Sequence, residues 1–358
     1  MVIVVWNVDD FHETATDLQG RLAHLICHTP SGHKKSLRSM QALVLDNGLS
    51  YRNDYPTPSA TDNEALIRVR LAGICATDLE LIKGYAGFAG ILGHEFVGVV
   101  EAVTNEQHRQ WVGRRVVGSI NIGCGRCDVC LNHGPEHCQQ RRVLGIRGKN
   151  GAFADYLTLP IENLYAVPDT IDDEAAVFTE PLAAAVRVVK QLAHLSIDKI
   201  GVIGPGRLGL LIAKTLAIHG YEVDVIGRTQ TTLTLAKQWQ LSSRIVETVA
   251  DNQYPCVVDA TGTAQGFKQA LRILGPRGTL ILKSTFSSQE PIDLSKIVVY
   301  ELNVIGSRCG PFADALPLLE QRRIAVTDLI EGSYPLQNGI AALQHASQPG
   351  VRKILLYS

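Results

Sequence analysis

The spacing of hydrophobic and polar residues divides this chain into two parts. Before residue 168, the segments ALIRVRLAG, FVGVVEAV and WVGRRVVGS are rich in β-branched residues or alternate between apolar and polar positions, with turn residues between them. This pattern is typical of short strands. MQALVLDNGLSYRNDYP, which begins at Met40, predicts the first strand and turn, and GIRGKNGAFADYLTLPIENLYAVP restores the alternation. We therefore expect a compact β-domain.

After residue 168, helix and strand patterns alternate. DEAAVFTEPLAAAVRVVKQLAHL predicts a helix that Pro181 interrupts, and KIGVIGPGRLGLLIAKTLAIHGYEVDVIGRT predicts a strand, a glycine-rich turn, a helix that ends near Gly220 and a second strand. PCVVDATG, GTLILKSTF and ELNVIGS predict further strands, TAQGFKQALRIL predicts a helix, and the tail predicts helices and a final strand. Because such alternation forms parallel sheets covered on both faces, we expect an α/β fold with a doubly wound sheet.

Length and composition limit the class of protein. A chain of 358 residues exceeds what one hydrophobic core usually supports, so we expect two domains. The net charge of -1 gives no electrostatic reason to expect nucleic acid or an anionic membrane as a partner. No apolar run approaches the roughly 18 to 20 residues that span a bilayer.

The cysteines and the N-terminus indicate the compartment. Four of the eight cysteines lie within fifteen residues at short, metal-like spacings, so a reducing compartment is favoured over a disulfide scaffold. The opening VIVVW lacks the basic stretch of a secretory signal and is followed by acidic residues, which favours the cytoplasm. Residues 1–39 have no sustained period, so we expect a poorly ordered extension, with Met40 as the native start.

The stretch GICATDLELIKGYAGFAGILGHEF has the side chains of a catalytic metal site. Cys75 and His94 offer a thiolate and an imidazole, which zinc prefers, and catalytic zinc normally takes three protein ligands. Glu180 is the best third candidate because it lies immediately before the nucleotide-binding pattern, the alternative being an acid at a helix N-terminus. Three neighbours have hydroxyl or carboxylate groups that would orient ligands or move a proton, unless the acids are ordinary surface residues: Thr77, Asp78 and Glu95.

A second metal pattern lies in CGRCDVCLNHGPEHC. Its four cysteines have gaps of three, three and eight residues: Cys124, Cys127, Cys130 and Cys138. Four thiolates close a tetrahedral shell with no open position, which is the arrangement of structural zinc. The alternatives are a set of free thiols or a nucleic-acid zinc ribbon, and the missing basic, aromatic-rich flank argues against the ribbon.

A glycine fingerprint lies between the first predicted strand and helix of the second part. It consists of Gly204, Gly206 and Gly209, with Arg207 and Leu208 inside it. These glycines permit a tight turn, close approach of a pyrophosphate to the backbone, and packing of the helix on the strand. The helix N-terminus supplies N–H donors to the phosphates. The fingerprint therefore predicts dinucleotide binding.

The end of the second strand in this unit distinguishes NAD from NADP. An NAD site normally has a carboxylate there, about 20 residues after the glycines, to bind the ribose 2′-hydroxyl. This chain has Gly227 and Arg228 instead. A small residue beside a guanidinium admits and pairs with a 2′-phosphate, so we predict NADP, with NAD and a solvent-facing arginine as the alternative.

These motifs together resemble the zinc-dependent medium-chain alcohol dehydrogenase family. GICATD, GHE and the four-cysteine segment match that family, and Glu180 in its EPL context matches the polyol, sugar and threonine dehydrogenase-like branch. The resemblance implies that Cys75, His94 and Glu180 bind a catalytic zinc, that the four cysteines bind a structural zinc, and that Thr77 begins a proton relay. It also implies a homo-oligomer, either a dimer or a tetramer.

The resemblance also implies a domain plan. A GroES-like β-barrel catalytic domain would comprise residues 40–167 and 306–358, with a zinc lobe at 124–138. A Rossmann cofactor domain would comprise residues 168–305, and the tail would pack back on the catalytic domain.

The expected activity is reversible hydride transfer between an alcohol and NADP, with zinc as a Lewis acid at the substrate oxygen. One rival is a zinc-independent NADPH reductase of an activated double bond, which has no use for the Cys, His and Glu ligands. Another is a non-catalytic protein that binds NADP and zinc. Metal content and turnover distinguish the three.

Overall fold

The computed structural model describes residues 39–285 and 294–358. The predicted N-terminal extension therefore lies outside the described residues, apart from Ser39, which begins the first strand. Among the described residues, no helix combines the length and hydropathy that a bilayer crossing requires.

The first part of the described chain consists of short strands, as its sequence pattern predicts. They are β1 (Ser39–Leu45), β2 (Leu49–Pro56), β3 (Glu64–Gly73), β4 (Gly90–Ile91), β5 (Glu95–Val103), β6 (Arg115–Gly118), β7 (Asn121–Ile122), β8 (Arg142–Leu144), β9 (Gly148–Lys149), β10 (Tyr156–Pro160) and β11 (Leu164–Ala166). Two short helices interrupt them: α1 (Ala76–Ile82) and α2 (Asp128–Asn132).

Eight helices and eight strands follow. The helices are α3 (Asp173–Ala176), α4 (Thr179–Leu192), α5 (Arg207–Ile218), α6 (Thr234–Gln238), α7 (Ala264–Ile273), α8 (Ser295–Val299), α9 (Phe312–Glu320) and α10 (Gly339–Ala346). The strands are β12 (Lys199–Ile203), β13 (Glu222–Gly227), β14 (Ser242–Ile245), β15 (Tyr254–Asp259), β16 (Leu274–Leu282), β17 (Asn303–Gly306), β18 (Ile330–Pro335) and β19 (Lys353–Tyr357). Both counts refer to α-helices and strands from residue 167 onward, without 286–293.

The strand β3 is the centre of the mixed sheet, whose order is β11-β6-β5-β3-β19-β18. It pairs antiparallel with β5, β10 and β19. The final strand of the chain thus completes a sheet that the first part began. Alternate residues of β3, including Ile67 and Val69, are buried in the core beneath it. The domain boundaries at 167/168 and 305/306 stay a prediction.

Six strands form a separate parallel sheet in the order β14-β13-β12-β15-β16-β17. Its strands are buried on both faces because helices cover both. Val202 and Val225 belong to the core that includes α4, α5 and α9, whereas Val257 and Leu280 pack with α7 on the opposite side. This is the strand order of doubly wound dinucleotide-binding sheets, so the predicted fold class is confirmed.

The predicted interruption at Pro181 is wrong. The break lies at residues 177–178, between α3 and α4, and Pro181 is the third residue of α4. The first N–H groups of a helix have no partner within the helix, so proline is tolerated there. As a result, Glu180 lies in the first turn of a continuous fourteen-residue helix.

Candidate functional site

Strand pairing brings Cys75 and His94 together. Gly73, the last residue of β3, pairs with Glu95, the first residue of β5, so Cys75 and His94 lie at the same end of the two strands. One ligand atom each from Cys75, His94 and Glu95 lies within 4.8 Å of the others. A thiolate and an imidazole at this separation, with a carboxylate beside them, suit the donor preferences of zinc.

Asp78 lies against both predicted ligands. Its carboxylate is fully buried and accepts hydrogen bonds from the backbone N–H of Cys75 at 2.8 Å and of Gly93 at 3.2 Å. His94 Nδ1 lies 3.3 Å from Asp78 Oδ1, which leaves Nε2 as the nitrogen available to a metal. Burial lowers the pKa of His94, but the Asp78 carboxylate and Cys75 outweigh it and raise that pKa well above its ordinary value.

Glu95 has a partner that the sequence interpretation missed. Its carboxylate accepts a hydrogen bond from the Lys353 ammonium, and each side chain is only 1% exposed. Lys353 Nζ also donates to the carbonyl of Ile74 at 3.3 Å and lies 5.5 Å from the centre of the Phe178 ring. A lysine at the start of the apolar run ILLY is the signal that could have identified it, since lysine is rarely buried without a partner.

Glu180 lies near this group but outside its 4.8 Å limit. The side chain is half-buried, and in the described part of the chain it has no hydrogen-bond or ion-pair partner. Burial raises its pKa, and Glu95 acts in the same direction, whereas the charge of His94 opposes the change. Thr77, the predicted start of a proton relay, has its hydroxyl 3.8 Å from the Cys75 sulfur.

The four cysteines of the second motif form a compact group. All four sulfurs lie within 4.8 Å of one another, and the pairs Cys124–Cys130 and Cys127–Cys138 are both 3.9 Å apart. Sulfurs bound at about 2.3 Å to one tetrahedral zinc stand about 3.8 Å apart, so the geometry fits that ion. Hydrogen bonds from the backbone N–H groups of Arg126 and Cys127 lower the pKa of Cys124 to about 6, which favours a thiolate.

The glycine fingerprint forms a cradle between β12 and α5. Gly204 has φ +98°, and a Cβ at Gly209 would lie 1.9 Å from the Gly204 carbonyl oxygen, so both positions require glycine for the turn and the packing. A Cβ at Gly206 would meet no atom within 4 Å. The space beside Gly206, at the N-terminus of α5, is therefore open to a ligand, and helix N-termini favour phosphate groups. Leu208 is half-buried, and Arg207 donates a hydrogen bond to the carbonyl of Arg352 at 2.6 Å.

The end of β13 carries no acid. Gly227 is buried, and a Cβ there would come within about 3.0 Å of Thr232, Leu233 and Pro205. Arg228, the next residue, is exposed, and no hydrogen bond or ion pair to another described residue holds its side chain. The guanidinium is thus available to a phosphate at the position where an NAD site has a carboxylate.

Lys283 is a second cation that the sequence interpretation missed. It follows β16 directly, at the carboxyl edge of the parallel sheet, and it is half-buried. Burial lowers its pKa to about 8, although Cys309 and Glu180 oppose the change. Its position after the apolar run TLIL is the signal that could have identified it, because such strand ends line the ligand crevice.

Two family models match the chain. The alcohol dehydrogenase GroES-like domain matches residues 61–169, and the zinc-binding dehydrogenase model matches residues 208–321. The D-arabitol-phosphate dehydrogenase of Enterococcus avium is 29% identical over 327 residues, covering 85% of this chain and 93% of that protein. The sorbitol dehydrogenase of Halalkalibacterium halodurans is 28% identical over 325 residues, covering 84% of this chain and 93% of that protein.

Solved structures show the same likeness. A zinc-binding dehydrogenase from Sinorhizobium meliloti 1021, bound to NADP, has a TM-score of 0.80 at 26% identity. An alcohol dehydrogenase from Escherichia coli CFT073, in complex with NADH, has a TM-score of 0.81 at 26% identity. In each case the match covers 90% of this chain and 100% of the other. The likeness therefore includes both the mixed sheet and the parallel sheet.

Proposed function

The chain belongs to the zinc-dependent medium-chain alcohol dehydrogenase family, and from this premise we propose that it transfers hydride between a polyol or related alcohol and NADP. Its two folded parts are the GroES-like and Rossmann-type domains of that family. The observation that carries the proposal is the convergence of Cys75 and His94, with Glu180 near enough for the charge of His94 to act on it, in a chain that also has the dinucleotide cradle.

Cys75, His94 and Glu180 are the proposed ligands of a catalytic zinc. Glu95 lies closer to the first two, but its carboxylate is bound by Lys353, whereas Glu180 has no partner among the described residues. A zinc ion held there supplies a Lewis acid that makes an alcohol proton easier to remove. A second zinc is proposed at the four-cysteine group, where it would stabilise the lobe.

Residues of the chain then orient and move the reacting groups. Asp78 accepts a hydrogen bond from the backbone N–H of Cys75 and lies 3.3 Å from Nδ1 of the His94 ring, so it would help both ligands to keep one orientation. The Thr77 hydroxyl, beside the Cys75 sulfur, accepts the alcohol proton and passes it toward solvent. The cradle at Gly204, Gly206 and Gly209 would hold the pyrophosphate of the coenzyme, whose nicotinamide would supply the hydride acceptor.

The preference for NADP rests on the end of β13. Gly227 leaves no room for a side chain, and Arg228 supplies an exposed guanidinium that pairs with the 2′-phosphate through two parallel hydrogen bonds. An NAD-preferring enzyme would have an acid here to accept hydrogen bonds from the ribose.

A homo-oligomer is proposed through β17. Within the described residues this strand pairs only with β16, so its other edge is open, and Val304 on it is 40% exposed. Val298 and Val299 of α8 are 76% and 72% exposed. An open edge beside apolar side chains suits pairing with a second copy of the chain. Light scattering would show a smaller particle for Val304→Lys if β17 is the interface, with Ile340→Lys as the exposed control.

A substrate panel tests the activity. We expect sorbitol or D-arabitol phosphate, the substrates that two relatives are named for, or a similar polyol to reduce NADP faster than NAD. Turnover should disappear in Cys75→Ala. Zinc-independent turnover of activated double bonds, or nucleotide binding with no turnover on any alcohol or carbonyl compound, would contradict the proposal.

A further inference from the structure

Lys283 occupies the half of the parallel sheet that serves the nicotinamide. Doubly wound sheets bind a dinucleotide outside the carboxyl ends of their strands. The adenosine half lies on one side of the central crevice and the nicotinamide half lies on the other. The cradle and Gly227 lie at the ends of β12 and β13, so β15, β16 and β17 form the other half. Lys283 follows the end of β16, and its backbone N–H donates to the carbonyl of Asp259 at 3.0 Å, which continues the pairing with β15.

Among the residues that the structure describes, the ammonium of Lys283 has two neutral partners and no anionic one. Nζ donates to Ser307 Oγ at 3.3 Å and to the carbonyl of Arg308, which leaves one of its three N–H donors without a partner. In the described part of the chain no carboxylate lies within ion-pair distance of it. A half-buried, unpaired cation is costly, so such a group is expected to have a role toward a ligand.

Few charges near Lys283 oppose the effect of its ammonium on a bound ligand. Among the described residues, Glu180 is the carboxylate whose charge acts on the ammonium of Lys283, and Glu180 is also one of the proposed zinc ligands. If Glu180 binds zinc, its charge is taken by the metal. The other groups in the described ranges whose charge acts on Lys283 are Arg187 and Arg308, which are also cations, and the Cys309 thiol.

Nicotinamide changes its charge during the reaction. The oxidised ring is a cation and the reduced ring is neutral, and the ring must lie within hydride distance of the substrate at the zinc. A nicotinamide bound here would lie outside the carboxyl ends of β15–β17, the half of the sheet to which Lys283 belongs. A fixed cation beside that position disfavours the oxidised ring and has little effect on the reduced ring.

We propose that Lys283 makes the site discriminate between the redox states of the coenzyme, so that the chain binds NADPH more tightly than NADP⁺. This inference rests on the proposed function, because it assumes a nicotinamide coenzyme and a metal at Glu180. The consequence is a site that favours the reduced coenzyme, so that hydride transfer from the alcohol to the bound coenzyme becomes more favourable and release of NADPH becomes harder. Lys283 is neither a proposed metal ligand nor part of the proposed proton relay.

Dissociation constants of the two coenzymes test the inference without turnover. Tryptophan fluorescence or calorimetry would measure both constants for wild type, Lys283→Met and Lys283→Arg at about pH 6.5, where the ammonium is charged. Lys190→Met is the matched control, because it removes an exposed, ion-paired lysine from α4. Thermal unfolding confirms that each variant is folded.

We expect wild type and Lys283→Arg to bind NADPH roughly ten-fold more tightly than NADP⁺, the effect of one partly screened charge pair. Lys283→Met should lose most of this difference by binding NADP⁺ more tightly, while Lys190→Met keeps it. An unchanged ratio in Lys283→Met, with both coenzymes still bound, would overturn the inference and leave the proposed function intact. A loss of affinity for anionic substrates alone would assign Lys283 to substrate recognition and likewise overturn it. Failure of wild type to bind either coenzyme would overturn both.

Discussion

Removal of the Lys353 ammonium should destabilise the protein strongly. Lys353 and Glu95 are each 1% exposed, and Lys353 Nζ also donates to the Ile74 carbonyl. In Lys353→Met the Glu95 carboxylate stays buried without its cation. Removing one partner of a buried ion pair costs about 3–5 kcal/mol of stability. Because this pair is almost completely buried, we expect a cost within that range. An exposed pair such as Lys190–Asp314, whose side chains are 53% and 44% exposed, should cost less than about 1 kcal/mol.

Denaturant unfolding of the zinc-loaded protein at neutral pH measures these free energies. The variants are Lys353→Met, Lys190→Met as the control, and the double variant Glu95→Gln/Lys353→Met. The double variant removes both charges, so we expect it to regain about 2 kcal/mol or more over Lys353→Met. The reasoning is refuted if Lys353→Met lies within about 1 kcal/mol of wild type, or if the double variant is less stable than the single one.

Three further predictions concern the coenzyme domain. Arg228→Ala should raise the KM for NADP roughly 10- to 100-fold through the loss of charge-assisted hydrogen bonds and leave the KM for NAD unchanged. Steady-state kinetics measure both constants, and the exposed control Arg323→Ala should change neither. Gly206→Ala should keep the wild-type melting temperature but weaken coenzyme binding in a titration, whereas Gly209→Ala should lower the melting temperature because its Cβ would overlap a carbonyl oxygen. The pKa of Asp224 is lowered, because hydrogen bonds and nearby cations outweigh its burial. Its contribution to stability is therefore present above the pKa of the unfolded chain and is lost as the pH falls through the pKa of the folded protein. Unfolding measured as a function of pH should show that Asp224→Asn lacks this part of the loss of stability in acid.

The elements with strong patterns could be predicted because their sequence determines them locally. The alternation of strands and helices predicts the parallel sheet, and the fingerprint around Gly206 lies in the turn where it was expected. In contrast, β14 has the sequence SSRI, too short and too polar for periodicity to indicate a strand. It forms because β13 offers it an edge for parallel pairing.

In the candidate site too, some residues could be predicted from the sequence and others could not. Cys75 and His94 were identified from their residue types and neighbours, and β3–β5 pairing brings them together. The partner of Glu95 is 258 residues away in sequence, and only the return of β19 to β3 places it there. Whether Glu95 or Glu180 lies nearer to Cys75 depends on how α4 packs against the mixed sheet. Such long-range packing has no local sequence signature.

The zinc content of wild type and of Cys75→Ala, measured by atomic emission together with alcohol-dependent reduction of NADP, tests the central claim most directly. Our account predicts two zinc ions per chain in wild type, one in Cys75→Ala, and no turnover in the variant, because the four-cysteine group keeps its ion while the Cys75–His94–Glu180 group loses its own. Two zinc ions in the variant, or turnover equal to wild type, would contradict it.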